Sequence, residues 1–291
     1  MNKLEFKENG IIPIYKPSGP TSTDVIRKLK RKYKFNKIGH LGTLDPMAEG
    51  ILPIMINQVT KLAPILDTSK KIYKTVIKFG IETDTNDITG KVINEKSDFK
   101  LEREDLIKAL LDFNGEIEQV PPKFAAVKVN GVRAYKLARE GKDFEIKAKK
   151  VTIFNIELKR FFLPYAEVEI HCSRGTYIRS IIRDLGHNLE IPATMSKLIR
   201  SESSGFSIEE SVSLDKAVED LDNSVIKVES ILKFPIIELN DFEHKLIQNG
   251  QIPKKINCPE PSYYQLTYNK KMSAILYKEE NDDIKIFKVF K

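Results

Sequence analysis

Short apolar runs alternate with polar segments rich in glycine or proline along most of the 291-residue chain. Runs rich in β-branched and aromatic residues predict strands; these runs are 11–15, 51–56, 71–80, 151–161 and 166–172, and the Asn-Gly pair in 127–132 predicts a tight turn. Apolar residues spaced three and four apart predict helices; these segments are 21–33, 103–113, 134–139 and 177–189. Strands and helices interleave without regular βαβ spacing, and several neighbouring strands are predicted to be antiparallel. The pattern therefore predicts an α+β fold with a mixed, largely antiparallel sheet flanked by helices, and not a doubly wound one.

The character of the chain changes near residue 235. A short helix at 241–248 ends at Asn249-Gly250, and three short β-type runs follow at 263–268, 274–277 and 284–290. We predict two domains, a large one at residues 1–235 and a small, mostly β one at 236–291.

Composition bounds the function without fixing it. The net charge is +7, which favours polyanionic partners such as nucleic acid but is weak evidence alone. The chain has no apolar run of transmembrane length and no apolar segment of signal-peptide type at its start, so we expect a cytoplasmic protein without a membrane partner. Cys172 and Cys258 are far apart and the four histidines are scattered. We therefore expect no disulfide and no metal site.

One loop carries the clearest chemical signal. Residues 39–50, called the aspartate loop below, contain three glycines and one proline around Asp45. Glycine allows backbone angles that other residues avoid, and proline fixes φ, so the composition indicates a loop with one defined shape. An aspartate before proline often caps a turn. An ionisable group in a loop of fixed shape also indicates chemistry.

Three further segments place polar residues where packing does not require them. Lys71-Ile72-Tyr73 starts a strand, Pro121-Pro122-Lys123-Phe124 precedes an Asn-Gly turn, and Arg174-Gly175-Thr176-Tyr177-Ile178-Arg179 leads into a helix. Together with Lys16-Pro17 and the G-H-x-G-T-L-D-P-x-A-x-G-x-L sequence of the aspartate loop, they resemble the TruB family of tRNA pseudouridine synthases, in the family's order. The resemblance covers residues 11–210, and a weaker likeness to the family's PUA-type RNA-binding domain covers the tail.

The resemblance implies roles for individual side chains. Asp45 corresponds to the family's catalytic carboxylate, Arg179 to the arginine paired with it, and Tyr73 to the tyrosine that stacks on the target base. It also implies substrate contacts for four residues, which are His40, Tyr177, Leu198 and Lys16. Without the resemblance, Arg179 and Tyr73 would be read as a surface arginine and a packed tyrosine, and packing is nearly as good a reading of Leu198.

The family's reaction implies the substrate and the partners. Uridine 55 in the T loop of tRNA leaves the stack and is isomerised to pseudouridine, without cofactor or metal. We expect a monomer with no obligate protein partner. The basic charge suggests phosphate contacts from residues 27–34, Lys123, Lys128 and Arg133.

Other readings stay open at this point. A non-catalytic RNA-binding or tRNA-folding protein could use the same scaffold, and so could a guide-RNA-dependent relative, although the tail is short for the latter. A glycoside hydrolase normally needs a second carboxylate, for which Glu49 is the only nearby candidate. Phe124-Ala125 and Leu41 depart from the commoner Tyr-Ser and threonine of the family.

Overall fold

The computed structural model describes residues 3–67 and 70–290. The outermost residues of the two predicted domains, 1–2 and 291, lie outside this range. In the described part of the chain, no helix has both the length and the apolar character needed to cross a membrane.

A mixed sheet of eleven strands forms the centre of the described structure. Its main path runs, in spatial order, through Val212–Ser213, Gly10–Lys16, Glu49–Ile56, Ala193–Ser203, Lys71–Phe79, Tyr165–Cys172, Lys149–Phe162 and Gly115–Gln119. Three short strands pair beside it, namely Ile38–His40, Phe206–Ser207 and Ile226–Lys227. Along the path, two neighbouring pairs are parallel and the others are antiparallel. The predicted α+β class is therefore confirmed.

The first strands are apolar at consecutive positions because both of their faces are buried. In Gly10–Lys16, Ile12 and Ile14 pack into the main core, whereas Ile11 packs into a second cluster on the other face. Side chains alternate between the two faces of a strand, so a strand covered on both sides requires an unbroken apolar run.

The four helices predicted N-terminal to residue 190 are present. The α-helices are Ser22–Lys32, Ala63–Leu66, Arg103–Leu111, Ala134–Arg139, Ile178–Asn188, Leu214–Glu219, Val228–Ile231 and Asp241–Gln248, and Asn57–Leu62 and Asp222–Ser224 are 3₁₀ turns. The first begins with a capping box, in which Thr21 and Asp24 satisfy each other's backbone N–H groups.

The strand Ala193–Ser203 was not predicted, although it lies between Glu49–Ile56 and Lys71–Phe79. Its pairing with Lys71–Phe79 shifts register between Met195 and Lys197 and again between Arg200 and Glu202. Each irregularity breaks the two-residue alternation by which a strand is recognised in sequence. This strand carries two side chains of the site described below.

The C-terminal residues form a separate sheet of four strands, Ile236–Glu238, Tyr263–Tyr268, Lys271–Lys278 and Ile284–Val289. Its Met272 and Ile275 pack into the same cluster as Ile11 and Ile51 of the large sheet. Two-stranded ribbons complete the strands of the described residues: Leu4–Glu5 with Tyr33–Lys34, Ile81–Thr83 with Val92–Glu95, and Lys128–Val129 with Val132–Arg133. A domain boundary at residue 235 stays a prediction.

Candidate active site

A cavity of about 570 Å³ opens beside the aspartate loop. Six of the seven residues predicted for the site line it: His40, Asp45, Tyr73, Tyr177, Leu198 and Arg179. They come from segments far apart in the sequence, and the sheet brings them together. The volume lies within the usual range for a ligand site.

Backbone and side-chain hydrogen bonds hold the aspartate loop in one shape. The hydroxyl of Ser22, in the first turn of its helix, donates to the Leu44 carbonyl and accepts from the Leu44 N–H. The Gly19 N–H donates to the Pro46 carbonyl over 2.8 Å, and the Ala48 N–H closes a turn onto the Asp45 carbonyl. Asp45 therefore projects from a braced turn, as the composition of the loop indicated.

Lys16 is the one predicted site residue that does not line the cavity. Its side chain is fully buried, and its ammonium donates to the carbonyls of Pro17, Pro20 and Pro46 at 2.8, 2.8 and 3.1 Å. Burial lowers the pKa of Lys16 to about 8. These contacts favour support of the aspartate loop over the substrate contact that the resemblance implies.

Asp45 and Arg179 form a two-point ion pair at the cavity wall. Nε of Arg179 lies 2.9 Å from one carboxylate oxygen of Asp45, and Nη2 donates to the other over 3.0 Å. The arginine side chain is 5% exposed and the aspartate side chain 31% exposed. The guanidinium is therefore fixed while one side of the carboxylate faces the cavity, where a substrate can reach it.

A second carboxylate, which sequence reasoning missed, supports this pair. Asp87 is buried, and its Oδ2 lies 3.7 Å from Nη1 of Arg179. Its other oxygen accepts from Thr85 and from the N–H and hydroxyl of Thr89. In the sequence Asp87 lies in a polar turn, and nothing local distinguishes it from a turn-capping aspartate.

The ionisation of Asp45 reflects opposing effects. Burial raises the pKa of the Asp45 carboxyl above its ordinary value, and the nearby charge of Asp87 acts in the same direction. The Arg179 guanidinium opposes both and favours the carboxylate form.

Two neighbouring strands supply the other wall of the cavity. Tyr73 lies opposite Arg200, and Leu198 lies opposite Thr75, across the pairing of Lys71–Phe79 with Ala193–Ser203. Both Tyr73 and Leu198 are buried apart from the part that faces the cavity. A flat ring and an aliphatic side chain form a slot suited to a planar heterocycle.

Tyr177 is fixed through its backbone at the start of the helix Ile178–Asn188. Its N–H donates to Oε1 of the buried Gln119 over 2.7 Å, and its carbonyl accepts from the Gln119 amide over 3.1 Å. The ring is half-buried at the cavity wall. This paired bond sets where the ring enters the cavity.

Three basic side chains, His40, Arg200 and Lys71, also line the cavity. His40 lines the cavity, and its buried Nδ1 has no partner in the described structure. Burial and the charge of Arg200 lower the pKa of His40, so the imidazole is neutral near pH 7. Arg200 itself, which was not predicted as a site residue, is fully buried. Lys71 is buried as well and pairs with Asp67 over 2.6 Å.

The predicted phosphate contacts divide into two groups. Arg133 lines the cavity and donates to the Ala126 carbonyl. Lys123 and Lys128 are exposed nearby in the same part of the chain. Arg27, Lys28 and Arg31 line a separate groove on the first helix, where Arg27 pairs with Asp24 and Lys28 with Asp215.

Comparison with known proteins gives a consistent result. A model of the TruB family pseudouridylate synthase N-terminal domain matches residues 30–178. A Clostridium kluyveri protein called tRNA pseudouridine synthase B is 41% identical over 280 residues, covering 96% of this chain and 94% of that protein. Its Caldanaerobacter subterraneus counterpart is 37% identical over 262 residues, covering 90% and 92%.

Solved structures show the same fold at lower identity. A Cbf5-Nop10-Gar1 complex contains a chain with a TM-score of 0.68 at 21% identity, covering 97% of this chain and 84% of that one. An H/ACA RNP bound to a substrate RNA containing 2′-deoxyuridine contains one with a TM-score of 0.67 at 20% identity, covering 97% and 85%. At these identities the likeness concerns the fold alone.

Proposed function

The chain belongs to the TruB family of pseudouridylate synthases, and on this premise we propose that it is a tRNA pseudouridine synthase that isomerises uridine 55 in the T loop. The observation that carries the proposal is the two-point pairing of Arg179 with Asp45 at the wall of a cavity of nucleoside size. The fit of the site to the chemistry of that isomerisation supports it further.

The reaction breaks the bond between N1 of uracil and C1′ of ribose, and forms a bond between C5 and C1′. The proton on C5 is lost and N1 gains one, so the product has the atoms of the substrate and no net oxidation occurs. An ionised carboxylate beside the sugar and the base is the group that such an exchange requires. Asp45 supplies that carboxylate, and Arg179 fixes its orientation.

The target uridine must leave the RNA stack, because Asp45 lies in a cavity and not on a flat surface. Unstacking costs a few kcal/mol, which stacking and polar contacts in the pocket recover. Tyr73 and Leu198 provide the apolar slot for the flipped base, and Tyr177 closes it from the helix side. The Tyr73 hydroxyl is the group proposed to assist removal of the C5 proton, taking part in a proton relay and not as the final acceptor.

The remaining assignments of the proposal concern the surroundings of the site. His40 contacts the extruded nucleotide, and Lys16 holds the aspartate loop beneath it. The small C-terminal sheet acts as a PUA-like RNA-binding domain at residues 236–291. The enzyme works in the cytoplasm as a monomer, without a cofactor or an obligate protein partner.

An assay with unmodified tRNA transcript tests the proposal. Wild-type protein should produce pseudouridine at the T-loop uridine alone, and a transcript with cytidine at that position should give none. Asp45→Asn should abolish product, whereas Asp105→Asn, which changes an exposed carboxylate on the helix Arg103–Leu111, should retain the wild-type rate. Product at other uridines, or an active Asp45→Asn variant, would contradict the assignment.

A further inference from the structure

Arg200 is one of the largest fully buried side chains of the described structure, yet it belongs to the wall of the cavity. It lies on Ala193–Ser203, between the strand that follows the aspartate loop and the strand that carries Tyr73. A buried guanidinium is costly unless hydrogen bonds satisfy it. The hydrogen-bond partners of Arg200 therefore indicate which part of the structure this buried side chain stabilises.

Those partners are backbone carbonyls of the aspartate loop and the strand after it. Nε donates to Ile51 over 2.8 Å, Nη2 to Gly42 over 3.1 Å and Nη1 to Thr43 over 3.4 Å. Gly42 has a φ of +76°, and a Cβ there would lie 3.2 Å from Nη1 of Arg200. The loop backbone is thus packed directly against the guanidinium.

Arg200 also lies beside Tyr73 across the strand pairing. Arg200 and Tyr73 are register partners across the antiparallel strands, and both side chains line the cavity. Burial raises the pKa of the Tyr73 hydroxyl, and hydrogen bonding and charge from Arg200 oppose that rise. The bonds to carbonyls use three of the five N–H groups of an arginine, which leaves donors for the phenol oxygen.

Two arginines act on different parts of the segment that carries Asp45. Arg179 holds the Asp45 carboxylate from the helix side, whereas Arg200 holds the backbone two and three residues before it. The planar guanidinium of an arginine has donors in fixed directions, so it can set the distance between the loop backbone and the Tyr73 side chain. The ammonium of a lysine, on a flexible stem, cannot.

We propose that Arg200 is a positioning residue that sets the Tyr73 hydroxyl relative to the aspartate loop, and so acts on the reaction through Tyr73. The inference rests on the proposed function, since it assigns Tyr73 a part in the isomerisation. Arg200 itself does not exchange a proton with the substrate.

A double-mutant cycle tests this role. Single-turnover rates are measured for wild type, Arg200→Lys, Tyr73→Phe and the double variant. We expect Arg200→Lys to slow the reaction at least about tenfold when Tyr73 is present and less than about threefold when it is phenylalanine, because coupled residues are not additive. Equal effects in both backgrounds would show that Arg200 acts only on the loop, and would overturn the proposal.

A matched control separates positioning from general destabilisation. Asn57 is buried outside the cavity lining and forms three hydrogen bonds to the backbone of residues 6, 8 and 36. Asn57→Ala should lower the melting temperature without any coupling to Tyr73→Phe. If the rate effect of Asn57→Ala depends on Tyr73 as strongly as that of Arg200→Lys does, the double-mutant cycle measures loss of stability and the proposal fails.

If the Tyr73→Phe variant reacts too slowly for its rate to be measured, a spectroscopic measurement replaces the kinetic cycle. Protein labelled with 3-fluorotyrosine has one ¹⁹F resonance that disappears in Tyr73→Phe. This resonance should move in Arg200→Lys and remain in place in Asn57→Ala. An unmoved resonance overturns the inference even if wild type makes pseudouridine, whereas wild type without product overturns the proposed function.

Discussion

Arg179 contacts both oxygens of Asp45 from a position 134 residues away in the sequence, at 2.9 and 3.0 Å. Lysine at this position keeps the charge but cannot form both bonds in one plane. Because hydrogen bonds to charged groups contribute about 1.5–3 kcal/mol each, we expect Arg179→Lys to lower kcat about 10- to 100-fold. Single-turnover rates with tRNA transcript check this value, with the exposed Arg103→Lys as the control. An unchanged kcat would mean that charge alone suffices.

The rate should fall on acidification at a pH above the ordinary aspartate range. The proposed mechanism requires ionised Asp45, whose pKa is raised above the usual 3.8 by burial and by Asp87. The acidic limb of kcat/KM should therefore have its midpoint above about 3.8. Asp87→Asn removes a negative charge, so it should move that midpoint to lower pH. A shift to higher pH would contradict the electrostatic role of Asp87.

Lys16→Met should destabilise the fold and slow the reaction together. The change leaves the carbonyls of Pro17, Pro20 and Pro46 without their buried donor. Relief from burying a charge offsets part of the loss, so we expect a fall of about 2–4 kcal/mol in the free energy of unfolding. Denaturant titration measures it. Lys30 is an exposed residue of the helix Ser22–Lys32. The control variant Lys30→Met should change the free energy of unfolding by less than about 0.5 kcal/mol.

The contribution of Lys16 to stability should depend on alkaline pH. Its pKa is lowered from 10.5 to about 8 in the folded protein. Between these two values the unfolded chain holds more protons than the folded one, so the contribution to the free energy of unfolding rises with pH. The difference between wild type and Lys16→Met, measured by denaturation from pH 7.5 to 10, should therefore increase. A constant difference would show that the pKa is unperturbed.

Gly50→Ala should disrupt the junction between the aspartate loop and the sheet. Gly50 has a φ of +106°, and a Cβ would lie 2.2 Å from the Arg200 carbonyl oxygen. Strain and overlap together should cost more than about 3 kcal/mol in the free energy of unfolding. Gly131→Ala has a similar φ of +83° but no atom within 4 Å, so it should cost only about 1–2 kcal/mol. Equal losses for the two variants would rule out the close approach.

The sequence alone determined the local elements and the segments that carry chemistry. Strands such as Gly10–Lys16, the capped helix from Ser22 and the braced loop around Asp45 follow from side-chain period, capping residues and glycine. Each of these signals depends on residues close together in the sequence, so it can be recognised without knowing the fold. The family resemblance added the pairing of Arg179 with Asp45, and the geometry agrees with that pairing.

Only the tertiary structure decided which polar side chains are buried, and against what. The irregular strand Ala193–Ser203, the buried Arg200, the carbonyl cage around Lys16 and the second carboxylate at Asp87 have no local signature. A buried charge is tolerated only where donors and acceptors from distant segments meet it. For Arg200 the acceptors lie 149 to 158 residues away along the chain, and a period or a propensity cannot encode contacts between such segments.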